Sequence, residues 1–159
     1  MKFMMYTTEL KFVRRKGERD YIHIQSLEGC YSYVGRRGGE QPLSLGKGCL
    51  YKGTITHELM HAVGFYHEHS RPDRDKYIDL FMKNVEPGFE RQFIKIDLPW
   101  SRLITSFDYN SVMLYGSTAF SINKSSPTML KKNGDTLQDV HTKSGMSHSD
   151  RIRVDMLYD

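Results

Sequence analysis

Cysteine is scarce in this 159-residue chain, and long apolar runs are missing from it. The two cysteines, Cys30 and Cys49, permit one disulfide, although on composition alone a pair of free buried thiols is equally compatible with the count. No apolar run approaches the ~20 residues that a membrane helix needs, so we predict no membrane span. The sequence also has no internal repeat and no low-complexity segment, and its length fits a single domain.

Charge of one sign is not concentrated anywhere in the chain. The 23 Lys and Arg residues against 19 Asp and Glu give a net charge of +4, and the basic residues form only short clusters, for example at positions 14–16 and 36–37. A solvated surface explains this distribution better than an anionic partner does, and no nucleic-acid-binding motif accompanies it. With 38% hydrophobic and 26% charged residues, the chain has the composition of a globular protein, and we expect no nucleic-acid partner.

Histidines, by contrast, fall in a metal-ligand pattern. His57 and His61 are four residues apart, so on a helix both would face one ion. Gly64 follows at the point where a helix can end in a left-handed conformation, which would bring His67 round as a third ligand. Three nitrogen ligands leave one position of a Zn²⁺ ion for water, as in catalytic sites. The alternative, ordinary core or surface histidines, requires all these offsets to arise by chance.

Glu58 follows the first histidine directly. Its carboxylate could reach a metal-activated water without coordinating the metal, so we predict that it is the general base. An activated water attacking a carbonyl carbon polarised by the same ion is the chemistry of peptide-bond hydrolysis. The sequence therefore predicts a zinc-dependent endopeptidase.

The motif His-Glu-x-x-His-x-x-Gly-x-x-His over residues 57–67 matches the metzincin signature, and its continuation over residues 65–75 closely resembles the astacin family of zinc endopeptidases. Residues 111–116 (Ser-Val-Met-Leu-Tyr-Gly) resemble the Met-turn of that family. The resemblance implies that Met113 forms a hydrophobic floor under the histidines and that Tyr115 is an auxiliary zinc ligand and stabilises the oxyanion. Without the zinc motif, both would be interpreted as ordinary core residues. Leu114 departs from the family, where histidine is commoner.

The resemblance also implies a fold. We expect an α+β, metzincin-like single domain over residues 1–159, with a mixed twisted sheet and the zinc helix in an upper subdomain (about 1–64). A mostly irregular lower subdomain (about 65–159) would end in a helix. In astacins the cysteines that match Cys30 and Cys49 are paired, and the carboxylate that matches Glu68 is buried against the processed N-terminus.

The resemblance covers about residues 10–159, and astacin domains carry roughly forty further residues in front, within a usual domain size of ~100–200. We therefore expect that the chain lacks the usual N-terminal segment and derives from a longer precursor. We expect that its first residues are not a secretory signal peptide, because the apolar run is too short. The family and the expected disulfide indicate a secreted, extracellular protein. The tripeptide at Asn123 is a possible glycosylation acceptor, although such tripeptides often arise by chance.

Local patterns predict the main elements. We expect strands at Tyr21–Gln25, 30–34 and 41–45, with Pro42 at an edge or end position, and a zinc helix from about 52 to 63. Short helical structure within 85–93, a loop over 98–106, a hairpin-like turn at Asn133 and Gly134, and a capped C-terminal helix at 151–158 complete the prediction. Residues 31–33 would align an extended substrate, as in astacins, or else belong to an ordinary hairpin. His23, His141 and His148 lack metal spacing, and we predict no direct role for them.

Two other functions stay open at this point. A zinc-binding but catalytically inactive homologue could act as a binding module, and a structural protein would bind no metal at all. The partners of the leading candidate are protein or peptide substrates, its cofactor is one Zn²⁺ ion, and we expect a monomer.

Overall fold

The computed structural model describes residues 1–98 and 102–158, and within them helices are combined with two small sheets, which confirms the α+β prediction. The helices are α1 (Lys2–Thr7), α2 (Lys52–Ala62) and α3 (His148–Tyr158), and the strands are β1 (Tyr21–Gln25), β2 (Cys30–Ser32), β3 (Glu40–Leu45), β4 (Ile78–Leu80) and β5 (Met129–Lys131). Short 3₁₀ turns lie at Glu68–Ser70, Arg74–Lys76, Met82–Asn84, Glu90–Phe93 and Val140–Thr142. Among the described helices, none is both long and apolar enough to cross a membrane.

The larger sheet is mixed and has the order β1-β3-β2. β1 runs parallel to β3, with Tyr21 opposite Glu40, whereas β2 is antiparallel to β3, with Cys30 opposite Leu45. A disulfide between Cys30 and Cys49 ties the start of β2 to the segment before α2, as the family resemblance implied. The sheet therefore holds the entry to α2 through a covalent bond as well as through packing.

Strand β3 occupies the middle of this sheet, although Pro42 favoured an edge or end position. The ladder with β2 covers only Leu43 to Leu45, so at Pro42 the described ladder partner is His23 of β1, on one side. A residue without an amide hydrogen is tolerated there because β3 is locally at an edge. Strand β3 is therefore central in the sheet, but Pro42 lies beyond the end of the β2 ladder, where β3 pairs with β1 alone.

Helix α2 lies in the centre of the first hydrophobic cluster. Leu59 and Met60 are fully buried there with Val112 and Met113 of the Met-turn and with Val154 of α3. Gly53 lets the first turn of α2 pack directly on the Val140–Thr142 turn, since a Cβ at that position would lie 2.0 Å from the carbonyl oxygen of Val140. Helix α2 is thus held at its first turn by the close contact of Gly53 and around the two histidines by the burial of Leu59 and Met60.

A second hydrophobic cluster lies around the β4-β5 ladder and includes Phe93, Phe107 and Leu114. The two clusters meet at the Met-turn, because Met113 packs in the first and its neighbour Leu114 packs, fully buried, in the second. Leu114, the departure from the family pattern, is therefore a core residue of the second cluster. The subdomain division near residue 64 stays a prediction.

Several local expectations differ from the structure. In the 85–93 segment only Glu90–Phe93 is helical, as a 3₁₀ turn that follows Gly88 with its φ of 97°. The turn at Asn133 and Gly134 follows β5, but β5 pairs with the distant β4. Helix α3 begins at His148, three residues earlier than predicted. The expected loop over 98–106 falls partly outside the described residues, because positions 99–101 are not among them.

The start of α3 is a reciprocal cap. The Ser147 hydroxyl oxygen accepts the Asp150 amide hydrogen (3.0 Å), and the Asp150 carboxylate accepts the Ser147 amide hydrogen (3.0 Å). This is the capping-box arrangement, with aspartate at the third helical position. The cap fixes Asp150 in a buried position, from which it also reaches the Met-turn.

A buried ion pair joins α3 to the segment after the third histidine. Glu68 is 3% exposed and accepts two hydrogen bonds from Arg153 (2.6 and 2.9 Å), one from Arg71 (3.3 Å) and one from the Asp108 amide (2.8 Å). Burial raises the pKa of Glu68, and the Arg153 hydrogen bond opposes that rise. The predicted burial of Glu68 is confirmed, and its partners here are arginines.

Replacing Arg153 by methionine should test this pair. The variant R153M leaves Glu68 buried with a weakened set of donors, so we expect a loss of about 3–5 kcal/mol in the free energy of unfolding. Urea denaturation of the metal-free protein measures that loss. The control is K132M, which breaks the half-exposed ion pair with Asp79 and should change stability by less than about 1 kcal/mol. Equal losses in the two variants would contradict a special contribution from the buried pair.

Candidate metal centre and active site

Helix α2 presents His57 and His61 one turn apart, 3% and 7% exposed. The helix ends at Ala62, and Gly64 follows with a φ of 114°, a conformation that favours glycine. The amide of Gly64 donates to the carbonyl of His61 (2.9 Å) and that of Phe65 to the carbonyl of Met60 (3.0 Å), which closes the helix end. The chain then turns back and brings His67 to the other two histidines, as the sequence predicted.

The three imidazoles converge through their Nε2 atoms. The Nε2 atom of His67 lies 3.2 Å from that of His57 and 3.0 Å from that of His61. Two nitrogen ligands 2.0–2.1 Å from a tetrahedral zinc ion lie roughly 3.3 Å apart, so the spacing fits that ion. Among the described residues, these three form the group of His, Cys, Asp and Glu side chains whose ligand atoms are close enough to hold a metal.

The protonation of two of these rings is fixed by the backbone. His57 Nδ1 donates to the carbonyl oxygen of Val112 (2.8 Å) and His61 Nδ1 donates to that of Phe65 (2.7 Å), because a carbonyl oxygen can only accept. Burial lowers the pKa of His57 to about 3 and also lowers the pKa of His61 and, strongly, that of His67. The rings are therefore neutral, and the Nε2 lone pairs of His57 and His61 face the Nε2 atom of His67 at hydrogen-bond distance. A cation is the partner that such a donor set fits.

Glu58 lies in the same cleft as His57 and Tyr115. It is 4% exposed, and among the residues that the structure describes its buried Oε2 atom has no hydrogen-bond partner. Burial raises the pKa of its carboxyl group to about 7. A buried carboxylate oxygen without a partner usually has a functional reason, and here a proton acceptor poised near neutral pH faces the cleft.

Tyr115 follows the Met-turn and packs against the histidines, with its ring centroid 4.3 Å from that of His67 and 5.6 Å from that of His57. Burial, followed by the negative charge of Glu58, raises the pKa of its phenol. Met113 is fully buried, and its carbonyl accepts the Glu68 amide hydrogen (2.9 Å), which links the Met-turn to the residue after His67. Because its pKa is raised, the phenol of Tyr115 stays protonated at neutral pH beside the three imidazoles.

The cleft has a volume of about 590 Å³, and its lining includes Cys30, Tyr51, Phe120, Asp139 and His141. His141, for which we predicted no direct role, contacts Tyr51 with tilted rings whose centroids are 5.3 Å apart, and both side chains line the cleft. His23 is exposed and bonds Glu40, and His148 begins α3, so neither joins the metal-binding group.

Sequence reasoning missed three side chains that support the centre. Lys143 is 5% exposed, and its Nζ donates to the carbonyls of Ser111 and Leu114 (2.7 Å each); burial lowers the pKa of this amine to about 8. His69 is fully buried and stacks on Tyr115 with centroids 4.8 Å apart. Asp150, which caps α3, also accepts a hydrogen bond from the Ser111 hydroxyl (2.6 Å). Buried lysine has no sequence signal, because lysine is usually exposed.

Comparisons with known proteins agree with this geometry. The model of the astacin family of peptidases matches residues 1–159. Zinc metalloproteinase nas-13 of Caenorhabditis elegans is 51% identical over 145 residues, 89% of this chain and 31% of that protein. Astacin-like metalloprotease toxin 1 of Loxosceles intermedia is 44% identical over 155 residues, 95% of this chain and 59% of that protein. The chain thus spans from about a third to somewhat over half of these relatives.

A solved structure gives the same result for the fold. High choriolytic enzyme 1, described as a hatching enzyme zinc-protease from the medaka fish Oryzias latipes, superposes with a TM-score of 0.91 at 41% identity. The match covers 99% of this chain and 78% of that one. The predicted metzincin-like fold is confirmed, and this chain belongs to the astacin family of peptidases.

Proposed function

We propose that this chain is the catalytic domain of a zinc-dependent endopeptidase that hydrolyses peptide bonds of protein substrates. The observation that carries the proposal is the convergence of three neutral imidazoles, one of which shares a cleft with Glu58, whose buried Oε2 atom has no hydrogen-bond partner among the described residues. In this assignment His57, His61 and His67 are the zinc ligands, Glu58 is the general base, and Tyr115 is the auxiliary ligand and oxyanion stabiliser.

Each residue has a physical task in this reaction. When bound, zinc would polarise the substrate carbonyl group and make water acidic enough to lose a proton near neutral pH. Glu58 would take that proton, a role that suits a carboxyl group with a pKa of about 7. The backbone carbonyls of Val112 and Phe65 hold His57 and His61 in the tautomer that leaves Nε2 free to coordinate.

Tyr115 would act late in the reaction. Its raised pKa keeps the phenol protonated, so it donates a hydrogen bond to the negative charge that develops on the substrate oxygen. Met113, buried in the first cluster, would form the apolar floor of the metal site. The phenol of Tyr115 would thus take the place of a water molecule as hydrogen-bond donor to the negative substrate oxygen.

The substrate would be an extended peptide. Strand β2 lies at one edge of the larger sheet, and Cys30 lines the cleft, so β2 could pair with substrate backbone along the rim. The Cys30–Cys49 disulfide and relatives named as a toxin and as hatching enzymes support an extracellular location. We also expect a monomer, which size-exclusion chromatography would test.

The variant E58Q should separate metal binding from catalysis. Glutamine keeps the shape of the side chain but cannot accept the proton, so kcat should fall by about 10²–10⁴-fold while one zinc per chain is retained. Casein cleavage and metal analysis of the purified protein measure the two quantities. An exposed control, E86Q, should keep full activity. Undiminished proteolysis by E58Q would refute the assignment of the base.

Metal removal distinguishes the enzyme from an inactive zinc-binding module. Dialysis against a strong chelator should abolish casein cleavage, and added zinc should restore it, because the reaction needs the ion. Zinc content and cleavage are measured on the same sample. One zinc per chain without cleavage in the untreated protein would favour the module, and absence of zinc would exclude both functions.

Replacing Tyr115 by phenylalanine tests the oxyanion donor. The variant Y115F loses one hydrogen bond made mainly in the transition state, so kcat should fall by about 10²-fold with little change in KM. Steady-state kinetics on a fluorogenic peptide give both constants. The matched control is Y109F, which removes a phenolic hydroxyl group that donates a hydrogen bond to the carbonyl of Tyr77 outside the cleft. A raised KM at constant kcat in Y115F would argue for a substrate-binding role instead.

A further inference from the structure

A continuous chain of hydrogen bonds leads from the back of His57 to a buried carboxylate. His57 Nδ1 donates to the carbonyl oxygen of Val112 (2.8 Å), and the amide of Met113, in the same peptide group, donates to the Ser111 hydroxyl oxygen (3.1 Å). The Ser111 hydroxyl in turn donates to Oδ1 of Asp150 (2.6 Å). His57, the Met-turn and Asp150, which are distant in the sequence, are thus joined by one series of hydrogen bonds.

The direction of every bond in this chain is determined by chemistry. A carboxylate can only accept, so the Ser111 hydroxyl must donate to Asp150, and its oxygen is left to accept the Met113 amide hydrogen. The carbonyl oxygen of that peptide group can only accept from the imidazole. All donors therefore point from His57 towards Asp150, an arrangement in which each bond polarises the next.

Asp150 is held as the negative end of the chain. It is fully buried, and its second oxygen accepts amide hydrogens from Val112 (2.8 Å) and Ser147 (3.0 Å). The guanidinium of Arg153 lies 3.7 Å from its first oxygen, and the buried ammonium of Lys143 interacts with it favourably. Two cations and several donors thus compensate the charge of a carboxylate that solvent does not reach.

We propose that Asp150 and Ser111 are positioning residues for the metal centre, which strengthen His57 as a zinc donor through the peptide group between Val112 and Met113. Metal-bound histidines usually donate directly to a carboxylate, a carbonyl or water, and that partner orients the ring and raises its basicity. Here the carbonyl partner is itself connected to a carboxylate. The inference rests on the proposed zinc site, but it concerns affinity for the metal and not turnover.

The competing explanation is a purely structural one, because Asp150 also belongs to the helix cap. The variant S111A removes the hydroxyl link to His57 and leaves the cap, whereas S147A removes the cap hydroxyl and leaves the chain to His57. S111T restores a hydroxyl, and D150N removes the charge while it keeps an acceptor. These four variants separate the two roles.

Zinc affinity is measured by competition with a chromophoric chelator, and the visible spectrum of the Co²⁺-substituted protein gives a second readout at the metal. We expect S111A to weaken zinc binding about 10-fold and D150N about 10–100-fold, with altered cobalt bands in both. S111T should recover most of the affinity. S147A should lower the urea midpoint of the metal-free protein but change zinc affinity by less than about 2-fold, since the chain to His57 stays intact.

The outcomes are distinct from those that test the peptidase. Near-UV circular dichroism establishes which metal-free variants are folded, and if D150N is not, the comparison of S111A with S147A decides. Zinc affinity of S111A within about 2-fold of the unsubstituted protein, or an equal loss in S111A and S147A, would overturn the inference. If the unsubstituted protein binds zinc but cleaves nothing, the proposed activity fails and the affinities still decide. If it binds neither zinc nor cobalt, both proposals fail.

Discussion

Three neutral imidazoles, in which the Nε2 atom of His67 lies 3.2 and 3.0 Å from those of His57 and His61, are the constraint on which the remaining structure depends. Burial disfavours the charged forms, and hydrogen bonds at Nδ1 fix the tautomers of His57 and His61, so the Nε2 lone pairs of these two rings face the Nε2 atom of His67. Such an arrangement is costly without a cation and requires a rigid support. Helix α2 supplies that support: the Cys30–Cys49 disulfide ties the segment before it to the sheet, Gly53 packs against the Val140–Thr142 turn, and Gly64 closes its end.

The second half of that support is the Met-turn, whose backbone is bonded from several directions. Asp150 accepts the Val112 amide, Lys143 donates to the carbonyls of Ser111 and Leu114, and the Met113 carbonyl accepts the Glu68 amide. A loop normally exposes such groups to water, whereas residues 111–114 are fully buried, so these bonds are needed to avoid unpaired polar groups. Because these backbone groups are hydrogen-bonded, the Met-turn holds Tyr115 in a defined position at the cleft.

Sequence reasoning predicted the metal centre because its spacing is local: a helical offset of four and a glycine at the helix end determine where three side chains point. The parts it missed depend on contacts between distant segments. Residues 57 and 112 are 55 positions apart, and Ser111 and Asp150 are 39 apart, so no window on the sequence contains both partners. The same reason explains why Pro42 was predicted at an edge or end position, since only the complete ladder shows that β3 is central and that β2 ends before Pro42.

Helix α3 connects these observations, because it supports the donor set at two points. Asp150 and Arg153 lie three residues apart, on neighbouring positions of one helix face. Asp150 acts towards the Met-turn and, through it, towards His57, whereas Arg153 bonds Glu68, the residue directly after His67. A displacement of α3 would therefore disturb the first and third histidines together. Its two charged side chains are thus bonded to the surroundings of His57 and His67, which are ten residues apart in the sequence.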